Sequence, residues 1–229
     1  MKIVAFHNFR GGVGSTTFAS NATIYAAERG LQVVGATLGF RHDLGHHLAH
    51  ADVPWCDGIS GLPDTADLLV LDVHSHCKLI DVVRPDLWVM PITDRTAVDH
   101  AVRILPQLSG QILWVPTKGF RDVLVPEHLT ERVSVSAPIP RSEVFLGSYT
   151  AQRPVWATHP RAVVTAAMKR LFRDALARVG LETPARPIQQ RVYRGEPTYD
   201  RHSDHGYDRR EQSARTALQQ YFDRVRPAA

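Results

Sequence analysis

Apolar residues in this chain gather in short unbroken runs, separated by longer stretches where they recur every three or four positions. The short runs predict buried strands, and the 3.6-residue recurrence predicts helices with one covered face. Ile3-Val4-Ala5-Phe6 opens the chain as a first strand, and the alanine-rich residues 17–29 follow as a helix ended by Gly30. Further strands are predicted at 31–36, at 68–71 closing on Asp72, at 87–90 and at 111–115, with a short last one at 133–135. A helix over 96–108 separates two of them. Across 160–179, Val164, Met168, Leu171, Ala175 and Val179 fall at helical spacing. Strands alternating with helices predict an α/β fold, a mostly parallel twisted sheet with helices on both faces.

The pattern changes after Gly180. Residues 182–207 hold three prolines, many charges and few aliphatic side chains, which reads as a linker or an ordered surface arm. Asp208 and Glu211 have capping-box spacing and open a second amphipathic helix, with Ala214, Ala217, Leu218, Tyr221, Phe222 and Val225 on one face. Its polar face is not uniformly basic, so packing on its own domain or on a partner is expected rather than on a membrane. The division is therefore a domain over 1–180 and a C-terminal arm and helix over 181–229.

Composition narrows the class. With 229 residues and 44% hydrophobic content, the chain can bury one sizeable core. Two cysteines, Cys56 and Cys77, are too few for a disulfide framework, and no leader pattern or membrane-length apolar run occurs. A cytoplasmic protein is expected. The formal charge of +4 admits an acidic partner without requiring one.

Chemistry concentrates in one loop. Between the first strand and the first helix stands Arg10-Gly11-Gly12-Val13-Gly14-Ser15-Thr16-Thr17. In a phosphate loop, backbone N–H groups cradle the phosphates, a lysine neutralises them, and the following hydroxyl holds magnesium. Here the glycines supply backbone freedom and Thr16 the hydroxyl, while Ser15 stands where the lysine is needed.

These eight residues resemble the deviant Walker A loop of the ParA/MinD family of partition and positioning ATPases, whose pattern is Lys-Gly-Gly-Val-Gly-Lys-Thr-Thr. Other segments agree in order. The run from Ala66 to Asp72 is similar to the family's Walker B strand, and Arg84 to Asp94 to the segment after it. Val115-Pro116-Thr117-Lys118 and Ala137-Pro138-Ile139-Pro140-Arg141 look like the loops that flank the adenine, and Gln152 to Trp156 like the run before the last family helix. The resemblance covers residues 1–179, in the form without an N-terminal DNA-binding domain. It implies a P-loop NTPase fold of the SIMIBI type. It also implies nucleotide binding by Arg10, Gly11, Gly12, Val13, Gly14, Ser15, Thr16, Thr17, Pro116, Thr117 and Pro138, with Mg2+ held through Thr16 and Asp72.

The departures shape the functional expectation. Arg10 takes the place of the signature lysine and keeps its charge. The family's Asp-x-Asp-Pro-Gln becomes Thr37-Leu38-Gly39-Phe40-Arg41, and its Pro-Pro switch after Asp72 becomes Val73-His74-Ser75. A lost charge-assisted phosphate contact costs about 1.5–3 kcal/mol, and a lost preorganised charge about 10²–10³ in turnover. No catalytic residue is assigned. The expectation is a partition or cargo-positioning protein that binds ATP or ADP and Mg2+ weakly or not at all and hydrolyses little. Its implied partners are a second copy, a small ParB-like adaptor and non-specific DNA on the nucleoid, with no membrane. The alternatives are an active ATPase using Arg10, Arg41 or Lys118 as the relocated cation, or a scaffold indifferent to nucleotide.

Two further clusters stand out in the sequence. Arg153, Arg161, Lys169, Arg170 and Arg173 give residues 151–180 an excess of positive charge, matching the region where the resembled family binds DNA; the alternative is an ordinary solvated helix face. His42, His46 and His50, with His74-Ser75-His76-Cys77, have loose metal-ligand spacing, against the plainer reading of His46 and His47 as an exposed pair on a solvated helix.

Overall fold

Lys2–His7 forms strand β1, and its alternation places Ile3 and Ala5 on one side and Val4 and Phe6 on the other, all buried. Both faces of this strand are therefore covered, as expected for the middle of a parallel sheet. The computed structural model describes residues 1–229 except 9–11, 13, 40–42, 49, 59–61, 76, 122, 182–206 and 226–229, with backbone alone at 43 and 207–213. In chain order the remaining strands are β2 (Val33–Leu38), β3 (Trp55–Asp57), β4 (Leu68–Val73), β5 (Leu87–Ile92), β6 (Gln111–Pro116) and β7 (Val133–Val135). The helices are α1 (Ser15–Glu28), α2 (Asp43–Leu48), α3 (Arg95–Ile104), α4 (Val144–Ala151), α5 (Val155–Thr158), α6 (Val163–Arg178) and α7 (Tyr207–Val225).

The strands form one sheet in the order β3-β2-β4-β1-β5-β6-β7, and every pairing is parallel. β1 is central. From it the chain moves outward through β2 and β3, then returns to β4 and continues past β1 to the opposite edge. That reversal beside β1 opens a crevice at the strands' C-terminal ends, the usual ligand position in an open parallel sheet.

Two apolar layers hold the sheet. Val4, Phe6 and Val70 face α1, α2 and α6, with Tyr25, Trp156 and Phe172 packed edge to face among them. Ile3, Ala5, Leu69 and Leu71 face the opposite layer, where α3 supplies Ala97, Ala101 and Ile104 and α7 supplies Leu218, Tyr221 and Phe222. The α/β reading with helices on both faces holds.

The boundaries differ from the sequence reading for definable reasons. Residues 31 and 32 precede β2, because Leu31 belongs to the stop of α1. Gly30 (φ 84°) donates to the Ala27 carbonyl and Leu31 to that of Ala26, a Schellman arrangement. The same motif ends α6 at Gly180 and Leu181. α3 stops at Ile104 and passes into a 3-10 turn carrying Pro106, and it starts from Asp94, whose carboxylate accepts the Ala97 N–H at 2.9 Å. α6 begins at Val163 rather than at 160. The edge strand β3 and the short helices α4 and α5 have no counterpart in the sequence reading, and α2 is anticipated only as the helix carrying His46 and His47.

α7 lies antiparallel to β4. Arg215 pairs with Asp81 at 2.7 Å and donates to the Lys78 carbonyl beyond the end of β4. Tyr221 donates to the Pro63 carbonyl at 2.9 Å, and Arg224 pairs with Asp64, both before its start. No described helix is long and apolar enough to cross a membrane.

Candidate functional site

The loop after β1 is anchored where it leaves the sheet and where it enters α1. Asn8 is buried and donates its side-chain amide to the Pro91 carbonyl at the end of β5. Gly14 caps α1 in the left-handed conformation (φ 99°), and Gly12 is also left-handed (φ 77°), so both positions need the freedom of glycine. Arg10, Gly11 and Val13 lie outside the described residues. Ser15, Thr16 and Thr17 form the first turn of α1, where the amide groups have no intrahelical acceptor. Among the described residues no side chain caps this end and no acidic residue occupies the first turn, where the helix dipole is positive. This geometry suits an anion such as a nucleotide phosphate.

Three other strand ends surround the loop. Phe6, Asp72 and Thr37 are side by side across β1, β4 and β2, which puts Asp72 on the same face as Phe6 and toward α1. Asp72 is 5% exposed. Asp72 therefore lies on the side of the sheet covered by α1, the helix whose first turn carries Thr16. At β6, the Thr117 amide donates to the Ile92 carbonyl at 2.8 Å, and the Ile139 amide donates to the Pro116 carbonyl at 2.8 Å. The second bond joins the Pro116–Thr117 turn to the Pro138 loop. From this turn Lys118 reaches back to the glycine loop and donates from Nζ to the Gly12 carbonyl at 2.7 Å.

The end of β2 is altered in shape as well as charge. Thr37 is buried, and Gly39 follows with φ 137°, a conformation that L side chains rarely adopt. A Cβ at Gly39 would lie 2.4 Å from the Cβ of His74, inside contact distance. The His74 amide donates to the Leu38 carbonyl at 2.9 Å, fixing the two chains against each other. His74 thus fills the space beside Gly39.

The basic residues of 151–180 separate into two groups. Arg153, Arg161, Arg170 and Arg173 are exposed, Arg173 with Asp174 at 3.8 Å. Lys169 is partly buried, with its ammonium 5.7 Å from the centre of the Trp156 ring, and Trp156 donates to Glu28 at 2.9 Å. Burial lowers the Lys169 pKa, opposed by the Glu28 carboxylate. Sequence reading missed Arg29, which stacks 4.3 Å over Tyr25 at the end of α1. It acts on the Tyr25 phenol along with Arg173, although burial dominates and raises that pKa. Only its place at the end of a helix hinted at it.

The histidines do not form a solvated pair. His47 is buried with its ring centre 4.9 Å from that of Tyr149, and His46 meets the Gln152 side chain. α4 covers this face of α2, which a reading of α2 alone could not anticipate. His42 and His76 lie outside the described residues. Among the described residues no group of three or more metal-ligating side chains comes together. Cys56 and Cys77 are free thiols.

No protein-family model matches the sequence, and no curated protein matches it. Solved structures do resemble the fold. The septum site-determining protein MinD from Pyrococcus horikoshii OT3, complexed with Mg-ADP, superposes with a TM-score of 0.56 at 15% identity, covering 76% of this chain and 95% of that one. A ParA family ATPase from Chlorobium tepidum TLS gives 0.55 at 13% identity, covering 75% and 97%. A putative plasmid partition protein from Borrelia burgdorferi B31 bound to AMPPNP gives 0.52 at 12%, covering 77% and 97%. The chain has the fold of the MinD and ParA ATPases, a seven-stranded parallel sheet with helices packed on it.

Proposed function

We propose that this chain is a ParA/MinD-type protein of a DNA partition or cargo-positioning system, one that holds ATP or ADP with Mg2+ on its glycine loop and hydrolyses it slowly or not at all. The uncapped start of α1 and the left-handed glycines support nucleotide binding through the backbone. The observation that carries the loss of hydrolysis is the contact of Gly39 with His74. At the end of β2, where the resembled family carries its second carboxylate, the backbone conformation and the neighbouring His74 Cβ leave no room for a side chain. Together with Ser15, this removes a phosphate cation and a carboxylate from the same site.

The protein acts as a cytoplasmic homodimer with a small ParB-like adaptor and binds DNA without reading sequence. Exposed Arg153, Arg161, Arg170 and Arg173 supply the phosphate contacts.

Calorimetry with Mg-ATP and Mg-ADP, with a turnover assay on the same sample, tests the nucleotide reading. Micromolar binding with turnover near background is expected. Absence of binding at millimolar nucleotide would overturn it in favour of a scaffold. Rapid turnover abolished by Asp72→Asn would overturn it in favour of an ATPase with relocated groups.

A further inference from the structure

The bond from Lys118 to Gly12 joins segments 106 positions apart, and it is the cation contact that the structure records at the glycine loop among the described residues. The turn that aims this side chain is unusual for a lysine. Lys118 itself is left-handed (φ 55°), Gly119 follows at φ 90°, and the Phe120 amide closes the turn on the Thr117 carbonyl at 3.0 Å. Buried Thr117 fixes the base of the turn to Ile92. An exposed lysine ordinarily stays mobile in water because fixing it loses rotamer entropy. Here the backbone takes a disfavoured conformation and the ammonium rests on a loop carbonyl.

We infer that Lys118 is a positioning residue for the glycine loop: it pins the loop through the Gly12 carbonyl and supplies there the positive charge that Ser15 lacks, tuning the site for a nucleoside di- or triphosphate. The inference rests on the nucleotide-binding reading above. Three features make the chemistry work. An ammonium has three donor hydrogens, so the bond to Gly12 leaves two for an anion. A cation on a peptide carbonyl also polarises the N–H of the same peptide group, which strengthens the backbone cradle. Finally, the uncapped first turn of α1 adds its own positive end to the same loop.

The test compares Mg-ATP, Mg-ADP and AMP binding by calorimetry in the unaltered protein and in Lys118→Gln, Lys118→Met, Lys118→Arg and Lys118→Met with Ser15→Lys. Lys118→Gln removes the charge and keeps an N–H donor, on a side chain one bond shorter, while Lys118→Met removes both charge and donor. ATP and ADP affinity should fall about tenfold or more in the Gln and Met variants, while AMP changes far less. Arginine, or lysine restored at Ser15, should recover most of the loss. Equal weakening of all three ligands, with a lowered melting temperature and no recovery by either cation, would reduce Lys118 to a structural brace. Unchanged ATP affinity in the Gln and Met variants overturns the inference and leaves the nucleotide reading standing. No nucleotide binding by the unaltered protein overturns both.

Discussion

His7 shows how a single buried side chain couples this fold to pH. Its Nδ1 lies 2.9 Å from the Val73 carbonyl, and its ring meets Trp88 edge on at 6.1 Å. Burial pushes its pKa down to about 4, the Val73 carbonyl opposing this and the nearby His74 adding to it. The folded value is below the ordinary histidine value of about 6.5, so the unfolded chain takes up the proton first. Its contribution is complete above about pH 6.5 and is lost as pH falls toward 4, at a slope of up to about 1.4 kcal/mol per pH unit. Urea unfolding at pH 7 and pH 5 should show a smaller pH-dependent loss in His7→Gln than in the unaltered protein; equal losses would refute the assignment. At this scale the sequence was half legible. Ser15 and Gly39 announce missing charges by identity alone. That Gly39 has been closed off by His74, that His47 is buried under Tyr149, and that Lys118 reaches Gly12 all depend on contacts between distant segments, which residue identity does not encode.

α6 carries the DNA prediction at the scale of an element. Its periodicity was readable because Val164, Met168, Leu171 and Ala175 face the core at regular helical intervals. The direction of its basic residues was not, since Lys169 lies over Trp156 while Arg170 and Arg173 face solvent. Reversing the latter two, Arg170→Glu with Arg173→Glu, should weaken binding to duplex DNA and reduce the slope of log affinity against log salt by about 2. Lys169→Met should leave that slope unchanged. A titration of labelled duplex at several salt concentrations reads both, and equal slopes in all three proteins would remove α6 from the interface. β3 escaped notice for a related reason. Its three residues include the exposed Trp55, whose ring is packed against Gly45 of α2, so its order comes from a neighbour rather than from its own pattern. Long periodic elements were legible and short supported ones were not.

At the scale of the molecule, α7 completes one face of the sheet. Leu218, Tyr221 and Phe222 are each at most 3% exposed and share a core with Ile3, Leu69 and Leu71. Phe222→Ala should therefore destabilise the whole fold by about 3–5 kcal/mol. Arg215→Ala, which removes a partly exposed ion pair with Asp81, should cost about 1 kcal/mol or less through that pair. Denaturant unfolding of the two variants measures the contrast, and a Phe222 variant as stable as the unaltered protein would mean that the helix only rests on the surface. The amphipathic pattern of α7 was visible in the sequence, but the face that receives it was not, because strands buried on both sides give no sign of which helix covers which side. The arrangement also bears on how the protein is made. α3 covers part of that face early, but the part closed by Leu218, Tyr221 and Phe222 stays open until those residues have been made, so some of its apolar surface is hidden only late in synthesis. Nascent chains halted earlier would leave the apolar surface that α7 covers open to solvent and to one another, making incomplete products natural clients of chaperones.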